Sequence, residues 1–141
     1  MKRIANQLII EYDWYICITR GGLQPCLDLA EITNQGSIDT LNVSSYKKSK
    51  LNEKHLSLQC EFKNLDHLSG KRVLLIDDLV DSGDTLKFAV NFINIYGGPR
   101  LLHTAVVYVK PCAAVTPDFY IKKLPSNDHV VFSWEAERKI F

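Results

Sequence analysis

The chain has 141 residues, of which 46% are hydrophobic and 23% charged, and its formal net charge is +1. This length predicts one domain with a substantial core, and the near-neutral charge argues against nucleic acid or an anionic membrane as a partner. No apolar run approaches the roughly 18 residues that a membrane span needs, and the polar residues soon after Met1-Lys2-Arg3 argue against a signal peptide.

The first half of the chain alternates between helical and extended patterns. Helical spacing over residues 5–12 predicts a short amphipathic helix, and the apolar run 15–19 predicts a buried strand that ends in a loop at Arg20-Gly21-Gly22. A helix with Pro25 in its first turn should follow, and then a strand over 38–46. Residues 47–54 carry four lysines and predict an exposed, mobile loop, whereas alternation over 56–62 predicts a strand with one polar face.

The second half continues the alternation of strands and helices. The run Val73-Leu74-Leu75-Ile76 is typical of a central parallel strand. Helical spacing over 86–93 follows and stops at Gly97-Gly98-Pro99, and further strands are predicted over 105–109 and 119–124 before an irregular tail. This order predicts an α/β protein with a parallel sheet.

Cysteine usage indicates the compartment. The four cysteines, Cys17, Cys26, Cys60 and Cys112, form no CxxC pair and lie at no zinc-finger spacing. Cys17 and Cys112 stand among apolar residues, so we expect them to be buried, reduced thiols in a cytoplasmic protein.

The segment from Val73 to Leu86 carries the chemistry. An apolar strand runs into the adjacent carboxylates Asp77 and Asp78, and a polar loop over 81–85 leads into a helix. Ligands bind at the carboxyl end of such strands, and a helix N-terminus offers backbone N–H groups that suit a phosphate. The carboxylates suit a sugar diol or Mg²⁺. Sugar hydroxyls, a metal and a phosphate therefore all have plausible partners here.

The same segment has other possible interpretations. Acidic loops at strand ends are common, so residues 81–84 could also be only a turn with a helix N-cap. The chain contains neither GxxxxGK[ST] nor GxGxxG, and the acidic spacing does not match an EF-hand. Receiver domains of signalling proteins place paired aspartates after the first strand, whereas this pair lies past the middle of the chain.

The whole segment resembles the signature with which type I phosphoribosyltransferases bind phosphoribosyl pyrophosphate (PRPP): four apolar residues, two acidic residues and a loop of the form D-[ST]-G-x-T. The chain is also similar to the bacterial xanthine-guanine members in its loop Thr19-Arg20-Gly21-Gly22-Leu23, in Ser44-Ser45-Tyr46, in Lys110-Pro111 and in the tail Pro125 to Glu135. These matches run in order over about residues 15–135.

The resemblance implies a parallel-sheet, Rossmann-like phosphoribosyltransferase core in a single domain over 1–141. Residues 47–58 would form a flexible lid, and residues 125–141 would form a small hood with the N-terminal segment. The implied activity is Mg²⁺-dependent transfer of the phosphoribosyl group from PRPP to a 6-oxopurine (guanine, xanthine or hypoxanthine), with release of pyrophosphate, in purine salvage by a homo-oligomer. Two alternatives stay open: a PRPP-binding regulatory or degenerate module, and a phosphoribosyltransferase for another base.

The resemblance also assigns roles to individual residues. PRPP would be held by Arg20, Gly21, Asp77, Asp78, Asp81, Ser82, Gly83, Asp84 and Thr85. Asp78 would also face Mg²⁺, and the peptide between Arg20 and Gly21 would be cis. Asp81 would manage the proton at N7 of the base and Arg20 would neutralise the leaving pyrophosphate, while Ser45 and Tyr46 would take part in lid closure.

Three residues would read the base. Lys110 would donate to O6, backbone around His129 and Val130 would read the group at C2, and His129 would stack on the ring where the family usually has a larger aromatic residue. Phe132 and Trp134 are the alternatives for the stack.

Overall fold

A computed structural model describes residues 1–45, 58–59 and 65–136. The strands are β1 (Trp14–Thr19), β2 (Ile38–Asn42), β3 (Ser44–Ser45), β4 (Leu58–Gln59), β5 (Arg72–Val80), β6 (Leu101–Val109) and β7 (Phe119–Lys123). The helices are α1 (Lys2–Ala5), α2 (Leu23–Thr33), α3 (Asp84–Gly97) and α4 (Ser133–Ala136), and Asp66–Leu68 form a 3₁₀ turn. Among these described residues, no helix is long and apolar enough to cross a membrane.

Five strands form one parallel sheet in the order β2-β1-β5-β6-β7. The chain steps from β1 through α2 to β2 on one side, and from β5 through α3 to β6 on the other. The direction of winding therefore reverses between β1 and β5, and a crevice opens at their carboxyl ends, where ligands bind in such sheets. The predicted α/β class with a parallel sheet is confirmed.

The apolar run of β5 separates two cores. Successive side chains of a strand point to opposite faces, so Leu74 and Ile76 pack towards α1 and α2, whereas Val73 and Leu75 pack towards α3 and the 3₁₀ turn. All four side chains are fully buried. Burial of an aliphatic side chain of this size contributes roughly 1.5–3 kcal/mol, so β5 is the central support of the domain.

Two of the predicted elements differ in the structure. The helix predicted over 5–12 is wrong beyond Ala5, because Gln35 Nε2 donates to the carbonyl of Tyr12 at 2.7 Å and the backbone N–H of Asp13 donates to Arg72 O at 2.8 Å. The strand predicted over 38–46 divides after Asn42, where its partner β1 ends, and Ser44–Ser45 pair instead with Leu58–Gln59.

Candidate active site

A tight turn follows β1 at the carboxyl edge of the sheet. The N–H of Gly22 donates to Ile18 O at 2.8 Å, and a Cβ on Gly22 would lie 2.5 Å from Ile76 O, so the turn is pressed against β5. The cis peptide of this loop joins Thr19 and Arg20. The expectation of a cis bond between Arg20 and Gly21 is therefore wrong by one residue. Arg20 itself is exposed at the mouth of the crevice.

Gly21 brings this loop to the acidic pair. A Cβ at Gly21 would lie 2.5 Å from Cγ of Asp78, closer than real Cβ contacts come. The missing side chain thus leaves room for the half-buried Asp78 carboxylate beside the backbone of the loop. Arg20, Gly21 and Asp78 are brought together in this way.

Asp77 lies in different surroundings. It is only 7% exposed, and its Oδ1 accepts the backbone N–H of Asp78 at 2.9 Å. Burial raises the pKa of Asp77 well above its usual value, and the neighbouring charge of Asp78 raises it further. Asp77 therefore binds a proton more readily than an exposed aspartate does.

The loop after β5 leads directly into α3. Gly83 has a φ of +100° at the N-cap position, which favours glycine, and a Cβ there would lie 2.5 Å from Cγ2 of Val115. The hydroxyl of Ser82 donates to Asp84 Oδ2 at 2.8 Å and accepts the N–H of Asp84 at 3.2 Å. The side chains of Ser82 and Asp84 are therefore turned towards each other.

A cavity of about 100 Å³ lies over this loop. It is lined by Asp77, Leu79, Val80, Asp81, Ser82, Gly83, Thr85 and Leu86. The N-terminus of α3 opens into it, and the partial positive charge of a helix N-terminus favours an anion. Most of the predicted phosphate and ribose ligands therefore share one small polar cavity.

Strand register places Asp81 beside Lys110. β5 and β6 run in parallel, with Val80 opposite Val109. The residues that follow these two, Asp81 and Lys110, therefore also lie side by side. Lys110 Nζ contacts Asp81 Oδ2 at 3.0 Å. The Lys110 side chain is 9% exposed, whereas that of Asp81 is 64% exposed. A buried ammonium is unfavourable without a counter-charge, and the Asp81 carboxylate supplies one.

Cys112 also lies at this site. It is exposed, so the expectation of a buried thiol is wrong here, because β6 ends at Val109 and the chain turns outward after Lys110. Cys17 is buried as expected. The Cys112 thiol lies 3.5 Å from both Asp81 O and Asp81 Oδ1, and its backbone N–H donates to Asn127 Oδ1 at 3.1 Å.

The tail covers one side of the site. His129 is exposed and Val130 is half-buried. Phe132 is 6% exposed and is stacked between Tyr108 and Trp134, with ring centroids at 5.7 and 4.5 Å. The Phe132 ring thus packs against two other rings and is almost entirely buried. The backbone of Ser45 lies in β3, and Tyr46 and the predicted lid lie outside the described residues, apart from Leu58 in β4.

A larger cavity of about 600 Å³ lies elsewhere, at the amino end of β1. Two of its polar side chains are hydrogen-bonded: Tyr15 OH lies 3.0 Å from Thr33 Oγ1, and Gln35 Nε2 donates to the backbone carbonyl of Tyr12. The smaller cavity is the candidate active site, because charged groups and a helix N-terminus converge there.

This arrangement matches known proteins over nearly the whole chain. The sequence profile of the phosphoribosyl transferase domain matches residues 1–140. The chain belongs to the phosphoribosyltransferase family. It is therefore an enzyme of the transferase class.

Named relatives and solved structures agree with the family. The xanthine-guanine phosphoribosyltransferase of Desulfotalea psychrophila is 35% identical over 123 residues, which cover 86% of this chain and 69% of that protein. The enzyme of the same name from Nitratidesulfovibrio vulgaris is 30% identical over 126 residues, covering 89% and 71%. The structure of a purine phosphoribosyltransferase from Pyrococcus horikoshii has a TM-score of 0.75 at 27% identity and covers 94% of this phosphoribosyltransferase and 84% of that chain.

Sequence reasoning missed two contacts at the site of this phosphoribosyltransferase. Cys112 and Asn127 were not among the predicted site residues, although both lie within three residues of ones that were. No composition or spacing signal marks them, because their proximity to Asp81 depends on how β5, β6 and the tail pack together.

Proposed function

We propose that this phosphoribosyltransferase is a cytoplasmic purine salvage enzyme that transfers the 5-phosphoribosyl group of PRPP to guanine, xanthine or hypoxanthine. The observation that carries the proposal is the Lys110–Asp81 pair, whose charged groups lie 3.0 Å apart at the start of the loop over residues 81–85, here called the phosphate loop. An ammonium donates to the O6 of a 6-oxopurine and is repelled by the 6-amino group of adenine. The names of the relatives in Desulfotalea psychrophila and Nitratidesulfovibrio vulgaris support the same class of base.

The reaction is a displacement at the anomeric carbon of the ribose. The bond to a pyrophosphate oxygen breaks, a bond to a ring nitrogen of the base forms, and the base loses a proton. Arg20 and the backbone of Gly21 bind the departing pyrophosphate, whose negative charge the guanidinium offsets. Asp81 holds the proton at N7 of the base, and Lys110 orients the ring through O6.

The remaining ligands hold the ribose phosphate. The backbone over Ser82–Thr85 binds the 5′-phosphate at the N-terminus of α3. Asp77 and Asp78 bond the ribose hydroxyls. Because the pKa of Asp77 is raised by burial, its carboxyl group can donate as well as accept a hydrogen bond when it carries its proton.

Mg²⁺ fits the donor set at this edge of the sheet. The Asp78 carboxylate lies against Gly21, in space that a Cβ would fill, and offers the hard oxygen donors that Mg²⁺ prefers. Within the described residues there is no group of three acidic, histidine or cysteine side chains that would hold a metal alone. Mg²⁺ is commonly held by one or two carboxylates together with substrate phosphates, and it would neutralise charge on the pyrophosphate.

The remaining parts of the proposal concern closure and assembly. Ser45, Tyr46 and the lid over 47–58 exclude water from the reacting centre. The tail from residue 125 forms a hood in which His129 stacks on the base and backbone around His129 and Val130 reads the group at C2. The single domain assembles into a dimer or tetramer, and the exposed Ile95 and Tyr96 on α3 offer an apolar surface for it. Light scattering on the purified protein measures the assembly.

The decisive experiment is a panel of bases incubated with enzyme, PRPP and Mg²⁺, with nucleotide and pyrophosphate measured by chromatography. We expect turnover of at least one of guanine, xanthine and hypoxanthine, and none of adenine. Binding of PRPP without turnover of any base would indicate a regulatory module. Turnover of a pyrimidine alone would indicate a phosphoribosyltransferase for another base.

A further inference from the structure

Two loops at the carboxyl edge of the sheet are bonded to each other along their length. The N–H of Lys110 donates to Val80 O at 2.9 Å, and the N–H of Ala114 donates to Ser82 O at 2.8 Å. The loop over 110–114 therefore runs beside the phosphate loop, with its position fixed at both ends. A side chain in the middle of one loop is held at a set distance from the middle of the other.

Asp81 and Cys112 occupy these middle positions. The two carboxylate oxygens of Asp81 face different donors: Oδ2 lies 3.0 Å from Lys110 Nζ, and Oδ1 lies 3.5 Å from the thiol of Cys112, which is equally close to the backbone carbonyl of Asp81. Asn127 holds the backbone of Cys112 by accepting its N–H at 3.1 Å. The thiol is therefore anchored by the tail on one side and directed at Asp81 on the other.

We propose that Cys112 is a positioning residue that keeps the Asp81 carboxylate oriented when Lys110 turns towards the base. This inference rests on the proposed function, in which Lys110 donates to O6 and Asp81 holds the proton at N7. Binding of a 6-oxopurine draws the ammonium away from Asp81 Oδ2. The Cys112 thiol stays on Oδ1, because its backbone is fixed by Asn127 and not by the base. The Asp81 carboxylate thus keeps its orientation while the Lys110 ammonium interacts with the base.

The kinetic test is a double-mutant cycle between Cys112 and Asp81. Cys112→Ala should lower kcat/KM for the base about three- to tenfold, as expected for a weak donor to a charged acceptor. KM for PRPP should be unchanged. Cys112→Ser, which keeps a donor, should restore the rate to within about twofold. In an Asp81→Ala background, Cys112→Ala should have no effect on the residual rate, because the group it positions is gone.

Thr116→Ala is the matched control, since Thr116 is exposed later in the same loop and lines a different cavity. It should leave both constants unchanged. An equal loss from Cys112→Ala in both backgrounds, or a Ser variant as slow as the Ala variant, would overturn the inference.

A structural test separates this inference from the proposed function, because it needs no activity. Lys110→Ala mimics the departure of the ammonium. In its crystal structure the Asp81 carboxylate should stay beside Cys112, whereas in Lys110→Ala/Cys112→Ala it should turn away. An Asp81 side chain that is already displaced in Lys110→Ala overturns the positioning role even if the wild-type enzyme turns over guanine. The wild-type enzyme could also be inactive with every base while Asp81 stays beside Cys112 in the Lys110→Ala structure. In that case the contact is confirmed and the proposed function is wrong.

Discussion

Adjacent carboxylates on β5 lie in different surroundings because successive side chains of a strand point to opposite faces. Asp77 is buried and lines the small cavity, whereas Asp78 is half-buried and faces the loop after β1. Burial raises the pKa of Asp77 above its usual value. We therefore expect Asp78 to be the carboxylate that faces Mg²⁺, on the side where Gly21 leaves room for it.

Gly21→Ala should disable PRPP use without unfolding the protein. The new Cβ would collide with the Asp78 carboxylate, which lies at the far end of a side chain, so the side chain can shift while the backbone stays in place. We expect kcat/KM for PRPP to fall at least tenfold, on the order of the loss when metal ligands are misoriented, with Tm shifted by only a few degrees. Steady-state kinetics over a Mg²⁺ titration measures the effect.

The matched control for this prediction is Gly36→Ala. A Cβ at Gly36 meets nothing within 4 Å, so this variant adds the same methyl group without a collision. It should keep wild-type kinetics. Equal values of kcat/KM for PRPP in Gly21→Ala and Gly36→Ala would mean that use of PRPP does not depend on the position of Asp78 beside Gly21.

Lys110→Ala should change the choice of base. Loss of the ammonium removes the donor to O6, and a hydrogen bond from a charged group contributes about 1.5–3 kcal/mol, which corresponds to roughly ten- to a hundredfold in kcat/KM for a 6-oxopurine. Adenine should be affected much less, because its 6-amino group is repelled by the same ammonium. The measurement is kcat/KM for guanine and adenine in parallel. Lys122→Ala is the control, because Lys122 is an exposed lysine on β7. If Lys110→Ala leaves the selectivity between guanine and adenine unchanged, Lys110 does not contact the base.

At the scale of elements, the sequence predicted the central strands and the helices between them because their patterns are local. The apolar runs of β1, β5, β6 and β7 and the helical spacing of α2 and α3 depend on which neighbours each residue has along the chain. Residues 6–12 of the first predicted helix were predicted wrongly because the contacts of this segment and of Asp13 after it are with residues distant in sequence. Tyr12 OH lies 2.6 Å from His103 Nδ1, across 91 residues of sequence, and Asp13 is bonded to Arg72. Periodicity carries no information about such contacts.

The candidate site shows the same division. Family resemblance supplied Asp81 and Lys110 as separate residues, but their ion pair follows from the register that sets Val80 opposite Val109. A one-residue change in register would separate them, and no local pattern determines it. Cys112 was missed for this reason, since only the packed loops place its thiol beside Asp81.

The contact between Asp13 and Arg72 predicts a pH dependence of stability. Asp13 accepts two hydrogen bonds from the Arg72 guanidinium, at 3.1 and 3.3 Å, and one from its backbone N–H at 2.8 Å. The side-chain hydrogen bonds from Arg72 are the main cause that lowers the pKa of Asp13 to about 2. Because the folded pKa lies below the unfolded value, this stabilisation is complete above the unfolded pKa of about 4 and is lost as pH falls through about 2.

Thermal melts of wild type and Asp13→Asn between pH 2 and 6 test this prediction. The wild type should have the higher Tm at pH 5–6, and the two Tm values should converge towards pH 2 as the wild-type carboxylate is protonated. An Arg72→Ala background should remove most of the pH dependence of the difference, since the guanidinium is its main cause. A difference in Tm that stays constant from pH 6 to pH 2 would contradict the assignment.

At the scale of the whole molecule, the proposed ligands for PRPP and for the base come from different parts of the chain. Arg20, Asp77 and Asp78 lie at the ends of β1 and β5, where two buried cores support them. The tail that carries His129 is attached through the stack of Phe132 on Tyr108, which belongs to β6 just before Lys110. The tail therefore has an attachment to the sheet that does not involve Arg20, Asp77 or Asp78.

Phe132→Ala should uncouple use of the base from binding of PRPP. Truncation of a fully buried Phe costs about 3–5 kcal/mol of stability. Here that loss should weaken the attachment of the tail, because Tyr108 and Trp134 lose the ring between them. The two hydrophobic cores do not include Phe132 and keep all their members. We expect KM for the 6-oxopurine to rise at least tenfold, since a loosened tail no longer holds His129 over the base. The dissociation constant of Mg²⁺–PRPP, measured by calorimetry, should change less than about twofold, because its ligands lie on β1, β5 and the phosphate loop.

Val131→Ala is the matched control, because Val131 is 59% exposed and next in sequence, and it should leave both constants as in wild type. Phe132→Leu should recover part of the base affinity by refilling the space between the two rings. If Phe132→Ala weakens PRPP and base to the same extent while Tm is retained, the tail supports the whole crevice and is not a separate base-binding unit.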